Sequence, residues 1–316
     1  ERNCDYSNEN IMDIISVIQI LFSIISVIGN ALFAITLFKC PFKSKFTNLL
    51  MSSQCVYDSM ASSLYLAGRY LPLYQGSTFE LFDIFVCHFW TSQVFYWMIV
   101  MGSVQTLVWI SIDRYCAVIT ATSYSKNQTV LVITSQIAIV TISLLSAIPT
   151  GFDKKFINGS CTDEVLFEPS YYYIHKKIYA FFWFSCFYGI PILIFLFVYI
   201  NIGLQLWKMR KSTTETSANK KSKRIFTLTA VLITIQFVCL FSVDPNYYLL
   251  SSFNIVEYVY FGQTQQIGVL LISISMSINP IICMIMLRSR RLIALNIYCP
   301  CILRRIGPGS ENNSYV

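Results

Sequence analysis

Apolar residues in this chain gather into seven long runs separated by short polar stretches, approximately Ile11–Phe38, Phe46–Leu73, Ile84–Ile112, Thr129–Phe152, Ile178–Trp207, Ile225–Val256 and Tyr258–Leu287. Each meets or exceeds the roughly 20 residues that an α-helix needs to cross about 30 Å of hydrocarbon. Backbone amides in hydrocarbon must be bonded within their own segment, and membrane strands would be shorter and alternate with period two. The pattern therefore predicts an all-α membrane protein, a seven-transmembrane helix bundle spanning residues 11–287. Residues 1–10 read as an extracellular amino-terminal segment and 301–316 as a cytoplasmic tail. Between bundle and tail, residues 288–300 mix Arg288, Arg290 and Arg291 with Leu292, Ile293, Leu295 and Ile297, a pattern suited to a short amphipathic helix on the membrane surface.

Composition excludes a soluble class: 55% of residues are apolar and 12% charged, which leaves no water-facing bulk to cover the runs as ordinary cores. The cations Lys39, Lys43, Lys45, Lys126, Lys208, Arg210, Lys220, Lys221, Arg224, Arg288, Arg304 and Arg305 fall on one side of an alternating path. The positive-inside rule makes that side cytoplasmic and puts the amino terminus outside, in a multi-pass plasma-membrane protein. The other side carries Asp5, Glu9, Glu80, Asp83, Asp163, Glu164, Glu168 and Glu257. The net charge of +7 consequently points to anionic lipid or an acidic cytoplasmic partner, not to nucleic acid. No cleavable leader is recognisable. The chain starts at Glu1, not Met, so further sequence is expected ahead of it, and the first run can itself serve as the targeting signal.

Most cysteines lie within apolar runs as small packing residues. Cys87, at the outer end of the third run, and Cys161, in the following outer loop, share the oxidising side and are expected to form a disulfide. Asn158-Gly159-Ser160 in that loop is a glycosylation sequon at Asn158. Cys299 and Cys301, after the amphipathic helix, are candidates for acylation with palmitate, and the final Ser314-Tyr315-Val316 suits a PDZ-type groove.

Ionisable residues inside a membrane are costly and mark function. Asp58, mid-way through the second run, is expected to face Ser103, Ser275 and Asn279, whose oxygens suit a sodium ion; a locally hydrogen-bonded or protonated Asp is the plain alternative. Asp113-Arg114-Tyr115 closes the inner end of the third run and can pair locally or be redirected, a two-state electrostatic element. Pro191, Pro245 and Pro280 interrupt the last three runs, predicting kinks that serve as hinges, and Tyr199 is expected to point towards Arg114.

From Gly29 to the flat helix the chain resembles the rhodopsin-like (class A) G-protein-coupled receptors. The matching residues are Gly29-Asn30, Asn48 with Asp58, Asp113-Arg114-Tyr115, Pro191 with Tyr199, Pro245 and Asn279-Pro280, in the family's order. The resemblance implies a receptor, not an enzyme, in which Arg114 and Tyr199 engage a heterotrimeric G protein as the sixth helix swings outward about Pro245, with arrestin as a further partner. Several family positions differ here. The fourth run lacks its Trp, Ser242-Val243-Asp244-Pro245 replaces Cys-Trp-x-Pro, Cys283 stands for the Tyr of Asn-Pro-x-x-Tyr, and Ile225 replaces an acidic partner of Arg114. Cys87 also lies two residues further from Arg114 than the family spacing.

By helical phase and this resemblance, the ligand cavity is expected to be bounded by Arg69, Gln93, Tyr96, Trp97, Val100, Trp183, Phe187, Asn246, Tyr247, Gln265, Val269 and Ser273, with Thr91 beside them. Tyr96 stands where amine receptors place Asp, and the seventh run has no Lys for a retinal, so neither ligand class fits. The acidic outer face favours a basic peptide, which the Tyr171–Tyr173 run can contact. A metal hydrolase would need a ligand cluster, yet the chain has two histidines, His88 and His175, not spaced as a zinc pair. No repeat symmetry of a transporter is visible. A constitutively active or non-coupling receptor-like partner protein is the alternative that the missing Trp and Tyr keep open.

Overall fold

The computed structural model describes residues 2–39, 41–42, 44–70, 79–157, 159–162, 169–210, 217–259 and 262–286. In chain order these form α1 (Arg2–Lys39), α2 (Lys45–Tyr70), α3 (Glu80–Phe85), α4 (Val94–Ile119), α5 (Ala121–Lys126), α6 (Gln128–Ala147), β1 (Lys155–Ile157), β2 (Ser160–Thr162), α7 (Pro169–Phe184), α8 (Ile190–Arg210), α9 (Ser217–Leu240), α10 (Val243–Ser252) and α11 (Gln263–Met286). The seven apolar runs map onto α1, α2, α3–α4, α6, α7–α8, α9–α10 and α11. Among the described residues six of the seven are long and apolar enough to cross a membrane; the exception, α2, carries Gln54, Asp58 and several serines. Helix α1 reaches back to Arg2 and so takes in most of the segment expected to precede the bundle. The expected surface helix 288–300, the tail, Cys299, Cys301 and Asn158 lie outside the described residues, as do Asp163, Glu164 and Glu168.

The helices are arranged with polarity opposite to that of a water-soluble bundle. On α1, Gln19, Ser23, Ser26 and Asn30 recur every three or four positions and are buried, whereas Val17, Leu21, Ile24 and Ile28 face outward. A 3.6-residue period places the first set on one stripe, turned toward α2 and α11, and leaves the apolar stripe for lipid. Helix α4 is the axis of the bundle: it packs on α2, α6 and α8, and most of its length is buried. Phe46 of α2 meets Trp109 of α4 edge-on at 6.4 Å, closing the seam beside α6.

The three prolines are accommodated differently. Pro280 lies inside a continuous α11, where its missing N–H leaves the carbonyl of Met276 without its helical donor. Asn30 Nδ2 of α1 donates to that carbonyl at 3.1 Å. Neighbouring Gly29 makes the approach possible, because a Cβ there would stand 3.3 Å from the Pro280 ring. Ahead of Pro191 the fifth run widens into a π-helical turn, Ser185–Gly189, and Gln105 Nε2 of α4 reaches the Cys186 carbonyl at 2.8 Å. Ahead of Pro245 the sixth run breaks outright, with bends at Phe241 and Ser242 separating α9 from α10.

The third run contains a break that the sequence did not signal. A π-helical turn spans Val86–Thr91, and Gln93 then adopts a left-handed conformation (φ 59°) before α4 begins. This irregular segment absorbs the two extra residues between Cys87 and Arg114, so Cys87 still meets Cys161, with a Cα–Cα distance of 5.5 Å. Cys161 belongs to a small antiparallel hairpin in which Phe156 pairs with Cys161 and Lys155 with Thr162. His88 also bonds the Gly151 carbonyl at 2.7 Å, holding the start of the loop to the same turn.

Two outcomes follow for the detergent-purified chain. Asn30→Ala orphans the Met276 carbonyl and is expected to lower stability by about 1 kcal/mol, read as a reduced thermal unfolding midpoint. Cys161→Ser opens a loop closed across 74 residues. Its expected cost is about 2–4 kcal/mol by the same measurement, and it should match that of Cys87→Ser.

Candidate functional site

Below the disulfide, α4, α7 and α11 converge on a group of large side chains. Tyr96, Trp97 and Val100 of α4, Trp183 of α7, Phe187 of the π turn, and Gln265, Val269 and Ser273 of α11 are all buried, as their helical phase predicts. Trp97 meets Trp183 edge-on at 5.6 Å, and Trp183 stacks on Phe187 at 5.4 Å. The contacts continue downward: Phe187 lies 5.7 Å from Phe241, which stacks on Phe237 at 4.8 Å. Phe241 is the residue at which the sixth run breaks. This aromatic column occupies the region for which the sequence offered only a missing Trp, and Phe237 and Phe241 were not singled out because sequence places them on an unremarkable apolar face.

Four of the expected cavity residues have contacts of a different kind. Arg69 is exposed at the end of α2 and donates to Ser16 Oγ at 2.6 Å. Gln93 is the left-handed residue at the break before α4. Asn246 bonds back to the Ser242 carbonyl of its own helix at 2.6 Å. Tyr247 donates to the Glu257 carbonyl at 2.7 Å and is turned to the loop after α10. In the adjoining corner, Gln19, Tyr65 and the Gln266 carbonyl form a chain of hydrogen bonds linking α1, α2 and α11.

In mid-bundle, Asp58 is fully buried and its carboxylate accepts from three side chains. Oδ1 takes Ser103 Oγ at 2.5 Å and Gln54 Nε2 at 2.9 Å; Oδ2 takes Asn279 Nδ2 at 3.0 Å. Gln54 also reaches Ser103 Oγ at 2.7 Å. Ser275 is turned elsewhere, its hydroxyl accepting from Gln236 Nε2 at 2.8 Å. That glutamine also donates to the Ser275 carbonyl and to Asn279, tying α9 to α11. Gln54 and Gln236 were invisible as site residues because an amide in a helix gives no sequence signal until its neighbours are known. Beneath this network, Asn30, Gln54, Asn279 and Cys283 line a cavity together with Leu107 and Ile233.

At the end opposite the disulfide, Asp113 and Arg114 form a salt bridge with both side chains buried. Thr47 of α2 sits between them, donating to Asp113 Oδ2 at 2.9 Å and accepting from Arg114 at 2.7 Å. Tyr124 of α5 donates to the other Asp113 oxygen and shares a hydrogen bond with Ser44. Burial first, and then the Asp113 charge, push the Tyr124 phenol up to about 12, so it stays protonated and can keep donating. Tyr199 accepts from Thr234 of α9 at 3.1 Å, joining α8 to α9. The sequence flagged Asp113, Arg114 and Tyr199 but not Thr47, Ser44 or Tyr124, which approach from other helices.

Comparison with known proteins agrees with this geometry. Residues 29–283 match the family model of the 7 transmembrane receptor (rhodopsin family). A relative, the allatostatin-A receptor of Bombyx mori, is 23% identical over 317 aligned residues, which cover 94% of this chain and 86% of that protein. With the family match running from Gly29 to Cys283 and the buried Asp58 and Arg114 networks lying inside it, the chain belongs to the rhodopsin family of seven-transmembrane receptors, a multi-pass membrane class whose members are not enzymes.

Proposed function

We propose that this receptor carries an extracellular signal, a peptide in preference to a monoamine or retinal, to a heterotrimeric G protein through outward movement of α9–α10. The observation that carries the reading is the knot of Asp113, Arg114, Thr47 and Tyr124, which holds the arginine inside the bundle by groups from three helices. A charge satisfied in this way can be released as a unit when the bundle opens, making two discrete states available. The basic ends of the helices near Arg114 face the cytoplasm in this reading, and the disulfide end and amino terminus face outward. The bends at Phe241 and Ser242 supply the hinge, and the aromatic column from Trp97 to Phe237 links it to the cavity. Likeness to a protein named for allatostatin-A, and the absence of an Asp at Tyr96 or a Lys in α11, support the choice of ligand class. Arrestin remains a proposed partner on the cytoplasmic face.

One specific observation favours a second reading, a constitutively active or non-coupling receptor. Cys283 lines the cavity below Asp58, where the family's tyrosine would supply a phenol for Tyr199. The active state would then lack one of its usual contacts, and coupling would depend more heavily on Arg114.

A sodium ion fits the Asp58 region in one respect: Gln54 Oε1 is buried without a hydrogen-bond partner. Turning that amide end for end would offer its oxygen beside Asp58 and Ser103, giving an oxygen donor set of the kind hard cations need. Asn279 would complete the set, whereas Ser275 is engaged by Gln236.

Guanine-nucleotide exchange in membranes expressing the chain tests the coupling. Arg114→Ala is expected to reduce exchange to background. Tyr124→Phe and Thr47→Val, which loosen the knot, are expected to raise basal exchange several-fold, of the order that about 1 kcal/mol allows. Exchange indifferent to all three substitutions would favour the non-coupling reading. For the ion, replacing choline chloride by sodium chloride is expected to raise the thermal midpoint by a few degrees, about 1 kcal/mol, and Asp58→Asn is expected to abolish the difference.

A further inference from the structure

Three of the buried aspartates are treated very differently. Asp58 accepts from Gln54, Ser103 and Asn279, and Asp113 from Arg114, Thr47 and Tyr124. Asp244 has no such company. It lies in the first turn of α10, is only 3% exposed, and its Oδ1 is buried without a hydrogen-bond partner. Among the described residues no cation pairs with it. The carbonyl left free by Pro245 is not its partner either, since a carboxylate has nothing to donate and no hydrogen bond joins the two.

Two neighbours locate this carboxylate in the bundle. A Cβ on Gly268 of α11 would stand 3.0 Å from Asp244 Cβ and 3.2 Å from its backbone nitrogen, so the glycine lets α10 and α11 pack closely and fixes the depth of Asp244 against α11. On the α4 side, the charge of Asp244 acts on the phenol of Tyr96, which packs on Trp97 at 5.1 Å. Gly268 is five residues into α11 from Gln263. At a rise of about 1.5 Å per residue, the site is roughly 7–8 Å below the disulfide-side end of that helix. A ligand side chain entering from that end can span this depth.

A carboxylate in hydrocarbon surroundings needs a pairing charge or donors, and among the described residues neither reaches Asp244 Oδ1. We propose that Asp244 anchors a cationic group of the ligand, a guanidinium or ammonium of a basic peptide, with Tyr96 forming one wall of its seat. This deepens the receptor reading above and rests on it. The guanidinium meets Asp244 with charge-assisted hydrogen bonds, and the aromatic faces of Tyr96 and Trp97 favour a cation beside them. Binding would thus complete an interaction left unmade in the folded receptor, which gives a cationic ligand differential affinity at the helix next to the Phe241–Ser242 hinge.

The test uses the full chain and a library of short peptides made in matched pairs, arginine in one member and its uncharged isostere citrulline in the other, at every position. Binding is read by thermal shift of the purified receptor and by nucleotide exchange in membranes. The arginine member of at least one pair is expected to bind about tenfold more tightly than its partner, and Asp244→Asn is expected to bring the two within about twofold by weakening only the arginine member. Asp244→Glu should restore part of the preference, and surface abundance measured on the same cells shows that each variant folds. Equal binding of both members, or an arginine preference that survives Asp244→Asn, overturns the anchor and leaves the peptide reading standing. Failure of every pair to bind overturns both.

Discussion

A membrane interior offers no water to a free carbonyl or a buried side chain, and that constraint organises the whole bundle. Helices broken or bent by proline expose backbone groups that neighbouring helices have to answer. Asn30 reaches the Met276 carbonyl, Gln105 the Cys186 carbonyl, Tyr188 the Val238 carbonyl and Gln236 the Ser275 carbonyl. Each of these bonds crosses from one helix to another, so satisfying the backbone also sets the packing. The inward stripe of α1 is polar for this reason, and the oily stripe is left for lipid.

The same constraint decides where helices continue and where they divide. Where a neighbouring side chain serves the proline gap, as at Pro280, the helix continues; where the gap falls at Phe241 and Ser242, the helix divides. The dividing point lies on the aromatic column, and the two charged networks lie below it, joined to α9 through Gln236 and through the Thr234–Tyr199 bond. Helix α9 is thereby tied to the Asp58 region through Gln236 and to α8 through Tyr199. Departures from the family pattern do not dissolve this arrangement. Phe237 and Phe241 fill space near the absent Trp, and the irregular turn at Val86–Gln93 takes up the extra spacing before α4.

Buried aspartates show how one residue type acquires different roles from its surroundings. Asp113 is held by an arginine and two hydroxyls, Asp58 by two amides and a hydroxyl, and Asp244 by none of these. In water these side chains would behave alike. In the bundle, the supply of donors from neighbouring helices separates a structural knot, a candidate ion seat and an unpaired carboxylate.

The one-dimensional pattern was sufficient for the number of spans, their helical character and the residues Asp58, Asp113, Arg114 and Pro245, because length, apolar content and misplaced charge are properties of single segments. It also paired Cys87 with Cys161, since both fall at the same end of their segments. Partners contributed by other helices were not legible: Thr47 and Tyr124 at Arg114, Gln54 at Asp58 and Gln236 at Ser275 become site residues only when helices far apart in the chain are brought side by side. Likewise, the bonds of Asn246 to the Ser242 carbonyl and of Tyr247 to the Glu257 carbonyl were not legible from helical phase. Sequence alone determined which segments enter the membrane and what charges they carry into it; tertiary structure decided how each charge is answered, because hydrogen bonding in hydrocarbon depends on the groups within about 3 Å.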